Sequence, residues 1–93
     1  MTELTVVLRW RRCPAALWRR SYDRVLVLPS GHDDILVLEG TGAAIWFLLE
    51  DPATLTELVE PLSELLDVRG HAVADQVDGF LVQLEAVGAV ERG

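Results

Sequence analysis

The sequence predicts an α+β domain in which three short antiparallel strands precede three helices. Three observations carry that reading. The segments Arg24–Leu28 and Asp34–Leu38 are apolar runs of valine, leucine and isoleucine separated by turn residues. After Glu39-Gly40 the apolar spacing changes from that of strands to i, i+3, i+4. Thr54-Leu55-Thr56-Glu57 then reads as a capping box opening a long stripe of leucines.

In chain order, Leu4 to Trp10 is a weak strand candidate and Pro14 interrupts any regular element there. Residues 1–14 are therefore expected to be an N-terminal arm, partly ordered, ahead of a domain over residues 15–93. Ala15 to Tyr22 forms the first strand, and Tyr22-Asp23-Arg24 the tight connection to the second. Pro29-Ser30-Gly31-His32-Asp33 is turn chemistry: proline presets one dihedral, glycine supplies a positive φ, and aspartate bonds its own backbone. The continuous apolar character of the second and third strands suits strands covered on both faces or nearly so.

Thr41 is the expected cap of a helix reaching about Glu50, with Ile45, Leu48 and Leu49 on one face and Asp51-Pro52 as its stop. The second helix carries Leu55, Leu58, Val59, Leu62, Leu65 and Leu66, and Pro61 inside it is expected to kink or split it. After a linker at Asp67 to His71, a third helix runs from about Ala72 to Val87. Val73, Val77, Phe80, Leu81 and Leu84 form its core face, and Gly88 is a C-terminal stop. Ala89-Val90 ends the fold. This order has the composition of a winged helix-turn-helix with its strands placed first.

Composition narrows the function. Ninety-three residues, 51% of them apolar, make one domain with one modest core. The single Cys13 has no partner for a disulfide or a metal site, which fits a reducing, cytoplasmic setting. No signal peptide is expected from a start bearing Glu3. The longest uncharged stretch, Gly40 to Leu49, is half of the roughly 20 residues a membrane span needs, so no membrane is expected as partner. Charge is split. Six arginines and two acids give residues 1–24 a net +4; two arginines and thirteen acids give residues 25–93 a net −11; the whole is −7, without a lysine. A nucleic-acid backbone would be repelled by the acidic helices, so no nucleic-acid partner is expected.

Catalytic signals are missing. His32 and His71 fall in a turn and a linker with no nucleophile or spaced acid beside them, and no metal-ligand spacing or phosphate-cradling glycine loop occurs. Neither a cofactor nor a metal is expected, and the chain reads as a non-enzyme. The basic aromatic cluster Arg9-Trp10-Arg11-Arg12, with Trp18, has two readings: a dock for an acidic surface, or solvated arginines on a strand and arm. Trp46 is assigned to the core.

With these elements in place, the chain resembles the PqqD-like family, the precursor-recognition domains of ribosomally made, modified peptides. The resemblance rests on Val25-Leu26-Val27-Leu28, on Ile35-Leu36-Val37-Leu38, and on Glu39-Gly40-Thr41-Gly42-Ala43-Ala44-Ile45-Trp46. It continues through the Thr54 capping box with Leu55, Leu58, Val59 and Leu62 to Val77, Phe80, Leu81 and Leu84 before Gly88. It covers about residues 15–91. It departs at Glu39, where the family often has asparagine, and at Glu50-Asp51-Pro52-Ala53, where the family often has an acidic residue and glycine.

The resemblance implies a cytoplasmic peptide chaperone. The leader segment of a precursor peptide adds as a strand to the edge of the third strand, against the third helix. It is then delivered to a peptide-modifying enzyme such as a radical SAM enzyme, a protease or a cyclase. The residues this assigns to peptide binding are Asp34, Ile35, Leu36, Val37 and Leu38 on the strand, and Ala74, Val77, Asp78, Leu81, Val82 and Glu85 on the helix. At about 100° per residue, Ala74, Asp78, Val82 and Glu85 share one flank and Gln76 and Gln83 the other. The mixed apolar and acidic flank predicts a ligand with apolar anchors and a basic residue for Asp78 or Glu85. A vacant strand edge also permits a homodimer. The alternatives are a winged-helix DNA-binding regulator and a structural dimerisation module.

Overall fold

The structure is a computed structural model and describes residues 8–67 and 69–93. Its elements are β1 (Trp10–Arg12), β2 (Leu17–Ser21), β3 (Arg24–Leu28), β4 (Leu36–Leu38), α1 (Gly40–Leu48), α2 (Leu55–Leu66), α3 (Gly70–Ala86) and β5 (Val90–Arg92). The fold is α+β, as the sequence predicts: an antiparallel sheet in the order β2-β3-β4, followed by three helices. The strand expected at Leu4 to Trp10 lies largely outside the described residues.

Hydrophobic alternation explains where the sheet packs. Val25 and Val27 are fully buried and Leu38 nearly so, beneath Trp46, Ile45 and the leucines of the helices. The alternate residues point the other way: Leu26 and Leu28 are half-buried and Val37 is exposed. Cover on both faces is therefore not what the structure has. The helices stack on one face only, and the apolar outer positions stay open.

The β2–β3 hairpin closes through Tyr22-Asp23, with Ser21 opposite Arg24. Tyr22 takes φ +58°, a left-handed value where glycine is usual in a two-residue hairpin, and its side chain is 92% exposed.

α1 starts two residues earlier than expected. Glu39 is its N-cap and makes no side-chain cap bond, so Thr41 sits inside the first turn. The capping box at the start of α2 is present: the Glu57 N–H donates to Thr54 Oγ1 at 3.2 Å, and the Thr54 N–H donates to Glu57 Oε1 at 3.0 Å. α2 is continuous through Pro61, so of the expected kink or split the split does not occur. Pro61 and Glu57 both lie on the exposed side, where water can donate to the carbonyl that proline leaves unpaired. α3 ends in a Schellman motif. The Ala89 N–H donates to the Leu84 carbonyl at 2.9 Å and the Gly88 N–H to the Glu85 carbonyl at 3.1 Å, with Gly88 at φ +81°.

The chain does not stop at Val90. β5 continues to Arg92 and pairs with β1 in a second, two-stranded sheet, Trp10 facing Arg92 and Arg12 facing Val90. On its other side Trp10 exchanges two backbone bonds with Ala53, at 2.7 and 2.9 Å. Part of the expected N-terminal arm is thereby built into the fold, and Trp10 is only 4% exposed.

Two left-handed positions lead to opposite outcomes. Gly88→Ala should destabilise the protein by about 2 kcal/mol, because a Cβ there is strained by its φ and would meet the Ser30 carbonyl oxygen at 2.8 Å. Tyr22→Gly should stabilise it by about 0.5–1 kcal/mol, since an exposed ring is lost and a strained φ relieved. Urea denaturation midpoints check both. The cap gives a pH signature. Hydrogen bonds from Thr54 hold the Glu57 carboxyl below its ordinary 4.5. A depressed carboxylate contributes stability above its unfolded pKa and loses it as pH falls through the folded one. Thr54→Ala should thus cost about 1 kcal/mol near neutrality. That cost should shrink below pH 4.5, as thermal unfolding at a series of pH values will show.

Candidate functional site

The strand assigned to ligand pairing is an edge. β4 bonds to β3 through Val25–Leu38, Leu26–Val37 and Val27–Leu36, and no strand among the described residues lies on its other side. The strand is shorter than the five residues expected. Asp34 is a bend, and Ile35 precedes the ladder.

Two contacts set α3 beside this edge. At the far end of β4, the Phe80 ring packs on Gly42, with its Cζ only 3.0 Å from where a Cβ would stand. At the near end, the Ser30 N–H donates to the Gly88 carbonyl at 3.2 Å, fixing the end of α3 against the β3–β4 connection. The second half of α3, about 12 Å from Phe80 to Gly88, is therefore tied at one end to the start of α1, just past β4, and at the other to the β3–β4 connection, just before it. Where α1 meets α3 there is a concavity of about 180 Å³, lined by Thr41, Gly42, Ile45, Leu66, Val73, Gln76, Val77 and Phe80.

This geometry separates the residues assigned from sequence. Ile35, Leu36, Val37 and Leu38 are together on and beside the edge, with Leu38 buried. Val77 and Leu81 are 1% and 0% exposed, so they back the helix from the core, and Val77 reaches the floor of the concavity. Asp78, Val82 and Glu85 lie on the flank turned to β5. Glu85 receives two hydrogen bonds from the Arg92 guanidinium at 2.9 Å each, which raises the Arg92 pKa; Asp78 adds a smaller attraction. Ala74 is on the same flank, half-buried. The flank facing α1 and the end of β4 carries Gln76 and Phe80, and helical spacing adds Gln83 and Val87. From sequence, Phe80 is set on the core face and Gln76 on the opposite flank, and neither is assigned to peptide binding. Both flanks are partly polar there, and periodicity alone does not say which one faces the sheet.

The basic aromatic cluster is engaged with the fold. Arg12 donates from Nε and Nη2 to the Trp46 carbonyl at 3.0 and 2.6 Å, capping the end of α1. Its guanidinium also lies 4.5 Å from the Trp18 ring centre and 5.3 Å from that of Trp46, while the two indoles meet edge to face at 5.9 Å. Burial lowers the Arg12 pKa, and attraction to Glu50 partly restores it. Arg11 pairs with Glu91 at 2.7 Å. Cys13 is half-buried, and among the described residues no cluster of three or more His, Cys, Asp or Glu side chains is placed to hold a metal. No helix among the described residues is long and apolar enough to cross a membrane.

Comparison with known families gives one match: residues 24–90 fit the family described as coenzyme PQQ synthesis protein D (PqqD). No curated protein and no solved structure matches the chain. The family match begins at the first residue of β3 and takes in β4, all three helices and the first residue of β5. It spans more than two thirds of the chain, so the chain belongs to the PqqD family, whose members work in the synthesis of PQQ and other peptide-derived products.

Proposed function

We propose that this protein is a non-catalytic adaptor. It binds the leader segment of a ribosomally made precursor peptide as an added strand on β4 and presents it to a peptide-modifying enzyme. The observation that carries the reading is the open edge of β4, with the Phe80 flank of α3 packed on α1 just past its end. Family membership supports the same pathway.

Energetics say what the ligand must bring. Three strand residues span about 10 Å and offer two or three ladder bonds. At about 0.5–1.5 kcal/mol each these yield about 1–5 kcal/mol before ordering costs. Micromolar affinity needs about 8 kcal/mol. The remainder falls to side chains, at about 1.5–3 kcal/mol for each buried apolar group, so two anchors are needed. The concavity beside Phe80 has room for one of them. The glutamines on this flank give the peptide neutral donors and acceptors, and a basic ligand residue is not required, because Glu85 already serves Arg92.

A DNA-binding role finds no support in α3, which exposes Asp75 and Asp78 and carries no arginine between Gly70 and Ala86.

Titration of the ¹⁵N-labelled protein with its precursor peptide should shift the amides of residues 35–38 and 80–88. Phe80→Ala should weaken binding at least tenfold while the far-UV spectrum keeps its helical shape. Asp78→Lys should change affinity by less than threefold. Unshifted β4 amides, or equal affinity for wild type and Phe80→Ala, would remove the proposal.

A further inference from the structure

The face of the β2-β3-β4 sheet turned away from the helices carries a second apolar surface. Strand register sets Leu17 opposite Leu28 and Leu26 opposite Val37, all on the outer side of the pleat, with Ile35 beside them. Leu17 is 68% exposed, Ile35 61% and Val37 50%. Between them is a shallow dish of about 380 Å³, whose rim is completed by Trp18 and Arg19. Contiguous apolar exposure of this kind marks an interaction site more often than chance placement.

Arg19 indicates what the dish takes. It is the one charged residue lining it. Among the described residues the ion pairs are Arg11–Glu91, Arg24–Glu39 and Arg92–Glu85, and Arg19 belongs to none of them. A cation held beside apolar groups, in a protein of net charge −7, calls for a carboxylate from outside. A second copy docking face to face across a twofold axis would bring two Arg19 side chains together in a drying interface, which like-charge repulsion opposes.

We propose that this outer sheet face docks a folded protein that seats an apolar side chain in the dish and a carboxylate on Arg19. The inference deepens the adaptor reading and rests on it for one point: an adaptor holding a peptide on the β4 edge needs a separate surface for the enzyme. β4 links the two sites. Leu36 and Leu38 point to the core, while Ile35 lines the dish and Val37 lies on the same outer face, opposite Leu26. A guest strand added to β4 would continue the pleat, placing every second side chain level with the dish and within reach of the docked protein.

The test uses the full chain with p-benzoylphenylalanine at position 17, produced in the organism that carries the gene, irradiated in cells and mapped by mass spectrometry. The expected result is a cross-link to one folded protein, at a residue beside a surface carboxylate. Arg19→Glu should reduce it at least tenfold without changing thermal unfolding, and changing that partner carboxylate to arginine should restore it. Phe80→Ala, made in parallel, should leave the cross-link in place while weakening precursor binding. If Phe80→Ala spares precursor binding, the cleft reading fails and the docking face stands. A cross-link only to a second copy or to the precursor, a cross-link indifferent to Arg19→Glu, or none at all overturns the proposal.

Discussion

The tie between Gly88 and Ser30 is the constraint on which the arrangement of this domain depends. The end of α3 lies against the β3–β4 connection, while β4 stays the last strand of its sheet among the described residues. The helix C-terminus is held there by a backbone bond from Ser30, at a position where any side chain would collide with the Ser30 carbonyl. The same glycine closes the helix through its left-handed φ, so one residue both ends α3 and lets it approach the β3–β4 connection. With Phe80 resting on Gly42 at the other end, the second half of α3 is fixed at two points, one on each side of β4 in the chain.

A second set of contacts holds the rest of the frame. β1 lies between Ala53 and β5, so the start of the chain, the α1–α2 connection and the end of the chain are joined by one three-residue strand. Arg12 at the end of that strand bonds the last turn of α1 and stacks between Trp18 and Trp46. A lysine there would keep the charge but lose the paired donors and the planar stacking. The aromatic arginines of the N-terminal segment thus work largely inside the molecule, and Arg19, one strand further on, is left facing outward.

Elements with strong local signals were readable from the sequence. β3 has the boundaries expected of it because Asp23 and Pro29 bracket an unbroken apolar run. The capping box at Thr54 placed α2, since its geometry involves only four neighbouring residues. Long-range features were not readable. β1 and β5 are three residues each, too short for a period, and about eighty residues apart in sequence. An apolar run reads the same whether its outer face is covered by the chain's own helices or left open, so the dish could not be anticipated from Leu26, Leu28 and Ile35. Which flank of α3 meets α1 depends on a long-range contact, Phe80 on Gly42, which no spacing rule contains. Pro61 misled for a local reason, since a missing donor on a wet helix face costs less than one in the interior.

The two ends of α3 are secured unequally. Its N-cap, Arg69, makes no side-chain bond, and the first helical residue is a glycine, whereas the last turn is closed by two Schellman bonds and the Ser30 tether. Fraying should therefore begin at Gly70 and die out toward Val87, giving amide exchange that slows along the helix. The stiff half is the one beside β4, so a guest strand would meet a wall whose ordering entropy was already spent during folding.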